Sequence, residues 1–131
     1  MMSRLSIFTS LDYRHCRILT VVWMAVIFAM SAQSTVPLPQ AVWGQDKFMH
    51  FVAYAILGYL LARSIKNSNT GLGLSQVLWV AMIALAYGVS DEFHQSFVVG
   101  RDASIGDLLA DGLGGLAGAL LLLRRKNKSS Y

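Results

Sequence analysis

Four apolar stretches occupy most of this 131-residue chain, and short polar segments separate them. The stretches run over residues 18–34, 48–63, 72–90 and 105–123. A helix needs about 17–25 residues to cross the hydrocarbon core of a bilayer, so each stretch is at the short end of that range. Charged residues make up only 14% of the chain, whereas a soluble domain carries about a quarter. The pattern predicts an all-α fold, a four-helix transmembrane bundle with short loops.

The segments between the stretches have the composition of helix ends and turns. Pro37 and Pro39 should end the first helix, because proline disfavours helical geometry in the residue before it. Residues 67–71 form a polar turn between the second and third helices. Ser104 is placed to cap the fourth helix, with Asp107 three residues later completing a box-like start.

The basic residues are distributed unevenly between the two sides of the predicted bundle. Two of them, Lys47 and Arg101, lie in the loops of one side. The other nine lie on the opposite side: Arg4, Arg14, Arg17, Arg63, Lys66, Arg124, Arg125, Lys126 and Lys128. By the positive-inside rule, the N-terminal segment 1–17 and the basic tail 124–131 are cytoplasmic. The net charge of +4 therefore indicates orientation and contact with anionic membrane lipids, and no nucleic-acid-reading motif accompanies it.

The first stretch admits a second interpretation. A basic segment, a short apolar run and the small residues around Ala29 and Ser31 also resemble a signal peptide with its cleavage site. Cleavage would leave three spans and would not change the orientation of the C-terminus.

Most of the remaining ionisable residues fall at the helix ends that this orientation places on the outer side. Six of the seven acidic residues are among them, and only Asp12 is not. The group comprises Asp46, Lys47, His50, Asp91, Glu92, His94, Arg101, Asp102, Asp107 and Asp111, with Gln95 beside them. An ionisable side chain at membrane depth costs about 2.5–3.5 kcal/mol on insertion scales, so such residues usually have a function.

Helical spacing arranges these residues into polar stripes. The stripes are Asp46, His50 and Tyr54 on the second helix, Asp91 and Gln95 on the third, and Asp107 and Asp111 on the fourth. Residues four apart share a helix face, so we expect the three stripes to face each other. Lys47 and Arg101 should then supply cations to the carboxylates, and the surplus acid should take up a proton or bind a cation. A purely structural interpretation stays open, in which the acids complement helix dipoles and His50 bonds a neighbouring helix.

These residues carry a resemblance to a known family. The matching strings are 46–51 with Tyr54, Leu57 and Gly58; 90–97; Gly100, Arg101, Asp102 and Asp107; and Asp111 with Gly114, Gly115 and Gly118. In this order, from about Ala29 to Leu123, the chain resembles the VanZ-like family of small bacterial membrane proteins. Val99 stands where that family often has proline, and Asp111 stands where asparagine is frequent.

The resemblance implies a multi-pass protein of the bacterial cytoplasmic (inner) membrane that belongs to the cell envelope. The family is named for a protein that confers low-level resistance to the glycopeptide teicoplanin, and the resemblance supplies no established reaction. Gly114 and Gly118 have the small-xxx-small spacing of closely packed membrane helices, and Gly58 and Gly115 join them as helix-packing positions.

Three functions are compatible with the outer polar residues. The first is binding of an envelope lipid or cell-wall component, with effects on teicoplanin susceptibility, by Asp46, Lys47, His50, Tyr54, Asp91, Glu92, Gln95, Arg101, Asp107 and Asp111. The second is a metal-dependent hydrolase or transferase acting on a lipid-linked substrate, with a divalent ion bound by His50, Glu92, His94 or Asp107. The third is a membrane scaffold or oligomer that docks partners on the Gly114–Gly118 face.

Overall fold

The computed structural model describes residues 12–34, 44–65 and 71–123. Several sequence predictions fall outside these ranges, namely those on the segment before Asp12, on Pro37 and Pro39, on the turn as far as residue 70, and on the basic tail 124–131. The cytoplasmic placement of both termini stays a prediction.

Four α-helices and no strand occur in the part of the chain that the structure describes. They are α1 (Tyr13–Ser31), α2 (Gln45–Ile65), α3 (Leu74–Gln95) and α4 (Ile105–Leu120). The first three are long and apolar enough to cross a membrane, whereas α4 has 16 residues. The predicted all-α, four-helix fold is confirmed.

The outer surface of the bundle is apolar and its interior is partly polar. Large apolar side chains face outward on α1 and α3, such as Val21 and Trp79, which are both 67% exposed. Inside, Leu57 and Val80 are fully buried, but so is the carboxyl-bearing side chain of Asp111. An apolar outer surface is what a bilayer environment requires, whereas a soluble domain presents polar residues there.

The four helices run alternately up and down, so two helix ends and two helix starts meet at each end of the bundle. At one end, Gln95 of α3 donates to Ser31 of α1 over 3.2 Å. At the other end, the Arg17 guanidinium donates to the Ser64 carbonyl over 3.2 Å. The C-termini of α1 and α3 therefore share one end, hereafter the polar end, with the N-termini of α2 and α4.

The start of α4 is fixed by the predicted cap. The Ser104 hydroxyl accepts a hydrogen bond from the Asp107 backbone N–H over 3.0 Å, which satisfies one of the free donors of the first helical turn. The Asp107 carboxylate does not return to the Ser104 backbone N–H, because that group donates to Glu92; the carboxylate pairs with Lys47 instead. The cap thus leaves the carboxylate available to the interior of the bundle.

Glycines allow α4 to lie directly against α2. A Cβ added at Gly118 would collide with the Ala55 carbonyl, and one at Gly58 would collide with the Gly115 carbonyl. A Cβ at Gly114 would likewise collide with the backbone of α2. The glycine face is therefore occupied within the chain, and a partner helix cannot use it while α2 lies there.

We predict that Gly118→Ala weakens the bundle, because the methyl group meets backbone that cannot move without separating α2 from α4. Overpacking of this kind costs about 1–3 kcal/mol or more, so the thermal midpoint in detergent should fall by several degrees. The matched control is Gly112→Ala on the same helix, where the methyl group meets only the flexible Leu85 side chain at 3.1 Å. Equal thermal midpoints for the two variants would contradict this packing.

Candidate functional site

Four carboxylic side chains are buried at the polar end. Asp91 and Glu92 come from the last turn of α3, and Asp107 and Asp111 come from the first two turns of α4. His50 of α2 lies among them, and we call these five residues the buried cluster. The three polar stripes that the sequence predicted on α2, α3 and α4 do meet at one end of the bundle.

The centre of the buried cluster is a close pair between α2 and α4. His50 Nδ1 lies 2.8 Å from Asp111 Oδ1, and Asp111 is completely buried. Gly88 of α3 makes room for this carboxylate, because a Cβ at that position would lie 2.8 Å from Asp111 Oδ2. Asp111 Oδ2 itself has no hydrogen-bond partner in the described part of the chain.

Glu92 connects the end of α3 to the start of α4. Its Oε2 accepts a hydrogen bond from the Ser104 backbone N–H over 3.1 Å. Its Oε1 lies 3.9 Å from His50 Nδ1, beyond hydrogen-bonding distance, and is buried with no partner among the residues that the structure describes. One oxygen of Glu92 therefore fixes the loop, and the other points into the buried cluster.

Lys47 is the cation that contacts the buried cluster. Its Nζ lies 3.5 Å from Asp107 Oδ1 and 3.4 Å from Asp46 Oδ2. The Asp107 side chain is only 6% exposed, whereas the side chains of Lys47 and Asp46 are 43% and 56% exposed. Lys47 thus lies at the rim of the site, with one buried and one solvent-facing carboxylate beside it.

A second hydrogen-bonded group lies between α1, α2 and α3. Asp91 Oδ2 accepts from the Tyr54 hydroxyl over 3.3 Å and from Gln95 Nε2 over 3.4 Å. Gln95 also reaches Ser31 of α1. Asp91 Oδ1 has no hydrogen-bond partner within the described ranges. The group joins three helices but contains no cation among the described residues.

Two residues that the sequence analysis assigned to the site lie apart from the buried cluster. Arg101 donates to the carbonyls of Met30 and Gln33 over 2.8 Å and 3.0 Å, at the C-terminus of α1. This corrects the expectation that it supplies a cation to the carboxylates, and the helix dipole explains the preference. His94 packs against Phe28 with ring centroids 4.4 Å apart, so it does not join the other three candidate metal ligands.

A cavity of about 700 Å³ opens between α1 and α2 and reaches the polar end. One part of its wall is apolar and includes Trp23, Ile27, Val52 and Ile56. Its polar part includes Lys47, His50, Tyr54, Asp91, Gln95 and Arg101. The cavity is therefore amphiphilic, and residues that lie far apart in sequence share its lining.

Sequence reasoning missed the contribution of α1 to this cavity. Trp23, Ile27 and Ser31 are spaced four residues apart and all line it. That spacing was visible in the sequence, but Trp23 and Ile27 resemble ordinary membrane-facing residues. The role of Gly88 was hidden as well, because only the packed structure shows that it faces Asp111.

Comparison with known proteins agrees with the resemblance in the sequence. The family model described as VanZ/LLP1 matches residues 16–126. The chain belongs to the VanZ/LLP1 family. The match covers α2, α3 and α4 completely, and so it contains every residue of the buried cluster. Together with the three span-like helices, it identifies a VanZ-like membrane protein. No curated protein and no solved structure matches the chain.

The His50–Asp111 pair yields a prediction for two substitutions at position 111, one polar and one apolar. Asp111→Asn keeps an oxygen that accepts from the His50 ring, so we expect a loss of stability below about 1 kcal/mol. Asp111→Leu leaves the ring nitrogen buried without its acceptor, which should cost about 1–3 kcal/mol. Thermal unfolding of the two variants in detergent measures the difference. Equal losses for Asn and Leu would show that the pair does not stabilise the bundle.

Proposed function

We propose that the chain binds an amphiphilic envelope ligand that carries a phosphate group and a long apolar chain. A membrane phospholipid and a lipid-linked cell-wall precursor both have this chemistry. The observation that supports the proposal most directly is the cavity between α1 and α2, which joins an apolar wall to a polar end with two cations at its rim.

The apolar wall suits the hydrocarbon part of such a ligand. Val52 and Ile56 of α2 line the cavity and are each 40% exposed, so the cavity is continuous with the outer apolar surface of the bundle. An acyl or prenyl chain can therefore enter sideways from the bilayer. Its contact with Trp23 and Ile27 would replace lipid–lipid contacts of similar polarity, so specificity must come from the headgroup.

The rim cations suit the phosphate. The Lys47–Asp46 ion pair is half-exposed, and pairs of this kind contribute only about 0–1 kcal/mol. A phosphate oxygen can therefore displace Asp46 at little cost and gain a charge-assisted hydrogen bond. Arg101 lines the same cavity and adds a second positive charge.

The buried carboxylates favour binding of the ligand's phosphate at the rim of the cavity and not deeper inside it. Asp91 and His50 line the inner part of the cavity, and a second anion placed next to Asp91 would be repelled. Asp91 and Gln95 can instead form hydrogen bonds with neutral hydroxyl or amide groups of a headgroup. The distribution of basic residues along the sequence supports a cavity that opens toward the outer leaflet.

Binding of this kind would alter how glycopeptides reach their targets. Glycopeptides act at the outer face of the cytoplasmic membrane, and a protein that sequesters or shields a phosphate-bearing envelope component there changes their access. We therefore extend the proposal to teicoplanin susceptibility, as the family resemblance implies.

The first test is selective lipid contact at Trp23. In a Trp43→Phe, Trp79→Phe background, Trp23 is the only tryptophan of the chain. In reconstituted vesicles, brominated phosphatidylglycerol should quench its fluorescence more strongly than brominated phosphatidylcholine at equal mole fraction. Unlabelled polyprenyl phosphate should relieve the quenching if the precursor is the preferred ligand, and should have no effect if the phospholipid is.

The variants for this test separate headgroup binding from general lipid contact. Lys47→Gln should abolish the preference for the anionic lipid, and Val52→Phe should reduce quenching by filling the cavity. The matched control is Val89→Phe, since Val89 is exposed on α3 outside the cavity lining. Equal quenching by both brominated lipids in the Trp43→Phe, Trp79→Phe background, with no relief by polyprenyl phosphate, would refute the proposal.

The second test is physiological. Expression of the protein in a teicoplanin-susceptible Gram-positive host should raise the minimal inhibitory concentration at least twofold, and Val52→Phe should remove that effect while Val89→Phe retains it. Immunoblots of membrane fractions check that the three proteins accumulate equally. An unchanged inhibitory concentration would remove the glycopeptide part of the proposal and leave the lipid-binding part to the quenching experiment.

A further inference from the structure

Three side chains from three different helices converge within the buried cluster. A ring nitrogen of His50 and one carboxylate oxygen each of Glu92 and Asp107 all lie within 4.8 Å of one another. Atoms at this spacing can contact a common ion at bond lengths near 2 Å after small side-chain adjustments. The helices supply a rigid frame, because α4 is held against α2 by its glycine face.

The carboxylates of Glu92 and Asp107 are buried and lack some of their hydrogen bonds. The side chains of Glu92 and Asp107 are only 10% and 6% exposed. Within residues 12–34, 44–65 and 71–123, Glu92 Oε1 and Asp107 Oδ1 have no hydrogen-bond partner, and Lys47 at 3.5 Å gives Asp107 only a loose ion pair. Buried polar atoms are normally satisfied, so these oxygens indicate a cation that completes the site.

The neighbouring Asp111 has the arrangement of a supporting residue. Its Oδ1 lies 2.8 Å from His50 Nδ1, so Nε2 is the ring nitrogen left to bind an ion. Metal-bound histidines commonly have a carboxylate partner on the other nitrogen that fixes the orientation and tautomer of the ring. Asp111 thus positions His50. Among the described residues, Glu92, Asp107, Asp111 and His50 have a single lysine beside them, Lys47. The three carboxylates, when ionised, therefore carry negative charge in excess, which a divalent ion would offset.

We propose that His50, Glu92 and Asp107 bind a divalent transition-metal ion, Mn²⁺ or Zn²⁺, with Asp111 as a positioning residue. The imidazole nitrogen favours such an ion over Ca²⁺ or Mg²⁺, which prefer all-oxygen sites. This proposal goes beyond lipid binding and does not depend on it, although His50 also lines the cavity. The ion therefore lies next to the inner end of the cavity.

The test uses the full chain, purified in detergent through a tag that contains no histidine and stripped with EDTA. Titration with Mn²⁺, followed by electron paramagnetic resonance, should show about one bound ion per chain, and Zn²⁺ should displace it. Pulsed spectra should show coupling of Mn²⁺ to a ¹⁴N nucleus, because His50 is a ligand. A merely structural role of the cluster would produce no such coupling.

Variants assign the ligands. Glu92→Gln and Asp107→Asn should each weaken Mn²⁺ binding more than about tenfold, and His50→Gln should remove the nitrogen coupling. Asp111→Asn should weaken binding and keep that coupling. The matched control is Asp102→Asn, which removes an exposed acid in the loop before α4 and should bind like the unsubstituted chain.

Two results would overturn the metal site. The first is absence of Mn²⁺ and Zn²⁺ binding by the unsubstituted chain at millimolar concentration, and this result does not depend on the folding of any variant. The second is bound Mn²⁺ without nitrogen coupling, or an affinity for Mn²⁺ in Glu92→Gln and Asp107→Asn that equals the affinity of the unsubstituted chain. The fluorescence-quenching experiment, repeated in EDTA, tests lipid binding separately, so failure of one proposal is distinguishable from failure of the other.

Discussion

Carboxylates inside a bundle whose outer surface is apolar must find their partners within the protein, and the pair of His50 with Asp111 is the closest such contact between two helices. It joins α2 to α4 at the polar end, with Gly88 of α3 leaving the space that Asp111 occupies. Glu92 then ties α3 to the start of α4 through the Ser104 N–H. Because an isolated charge at this depth is costly, these contacts constrain the relative positions of three helices together.

Two features of the sequence make this interior possible. The glycines of α4 bring the α2 and α4 backbones close enough for short side chains such as Asp111 to reach across. The antiparallel order then brings the start of α2, the end of α3 and the start of α4 to one side of the bundle. The α1–α2 cavity lies beside this group. There α1 is joined to α3 by the hydrogen bond from Gln95 to Ser31, and not by a charged pair.

Much of this arrangement follows from the sequence. Helical spacing places His50 on a stripe with Asp46 and Tyr54, and the alternation of four apolar stretches puts the stripes at one end. The individual partners do not follow, because they depend on helix rotation and on loop geometry. Arg101 illustrates this: its charge suggested a carboxylate partner, but its position after α3 directs it to the Met30 carbonyl at the end of α1. His94 lies two residues after Glu92 on α3, which places it on a different face of the helix, where it contacts Phe28.

The central claim is that the start of α2 and the start of α4 meet through His50 and Asp111. Cysteine cross-linking tests it directly, in a Cys16→Ser background that removes the only native thiol. His50→Cys combined with Asp111→Cys removes both polar partners at once and so leaves no unpaired charge. Mild oxidation in membranes should form an intrachain disulfide in this variant, and none when His50→Cys is combined with Leu113→Cys on the exposed face of α4. Cross-linking that is absent between positions 50 and 111, or equally efficient for both pairs, would contradict the account.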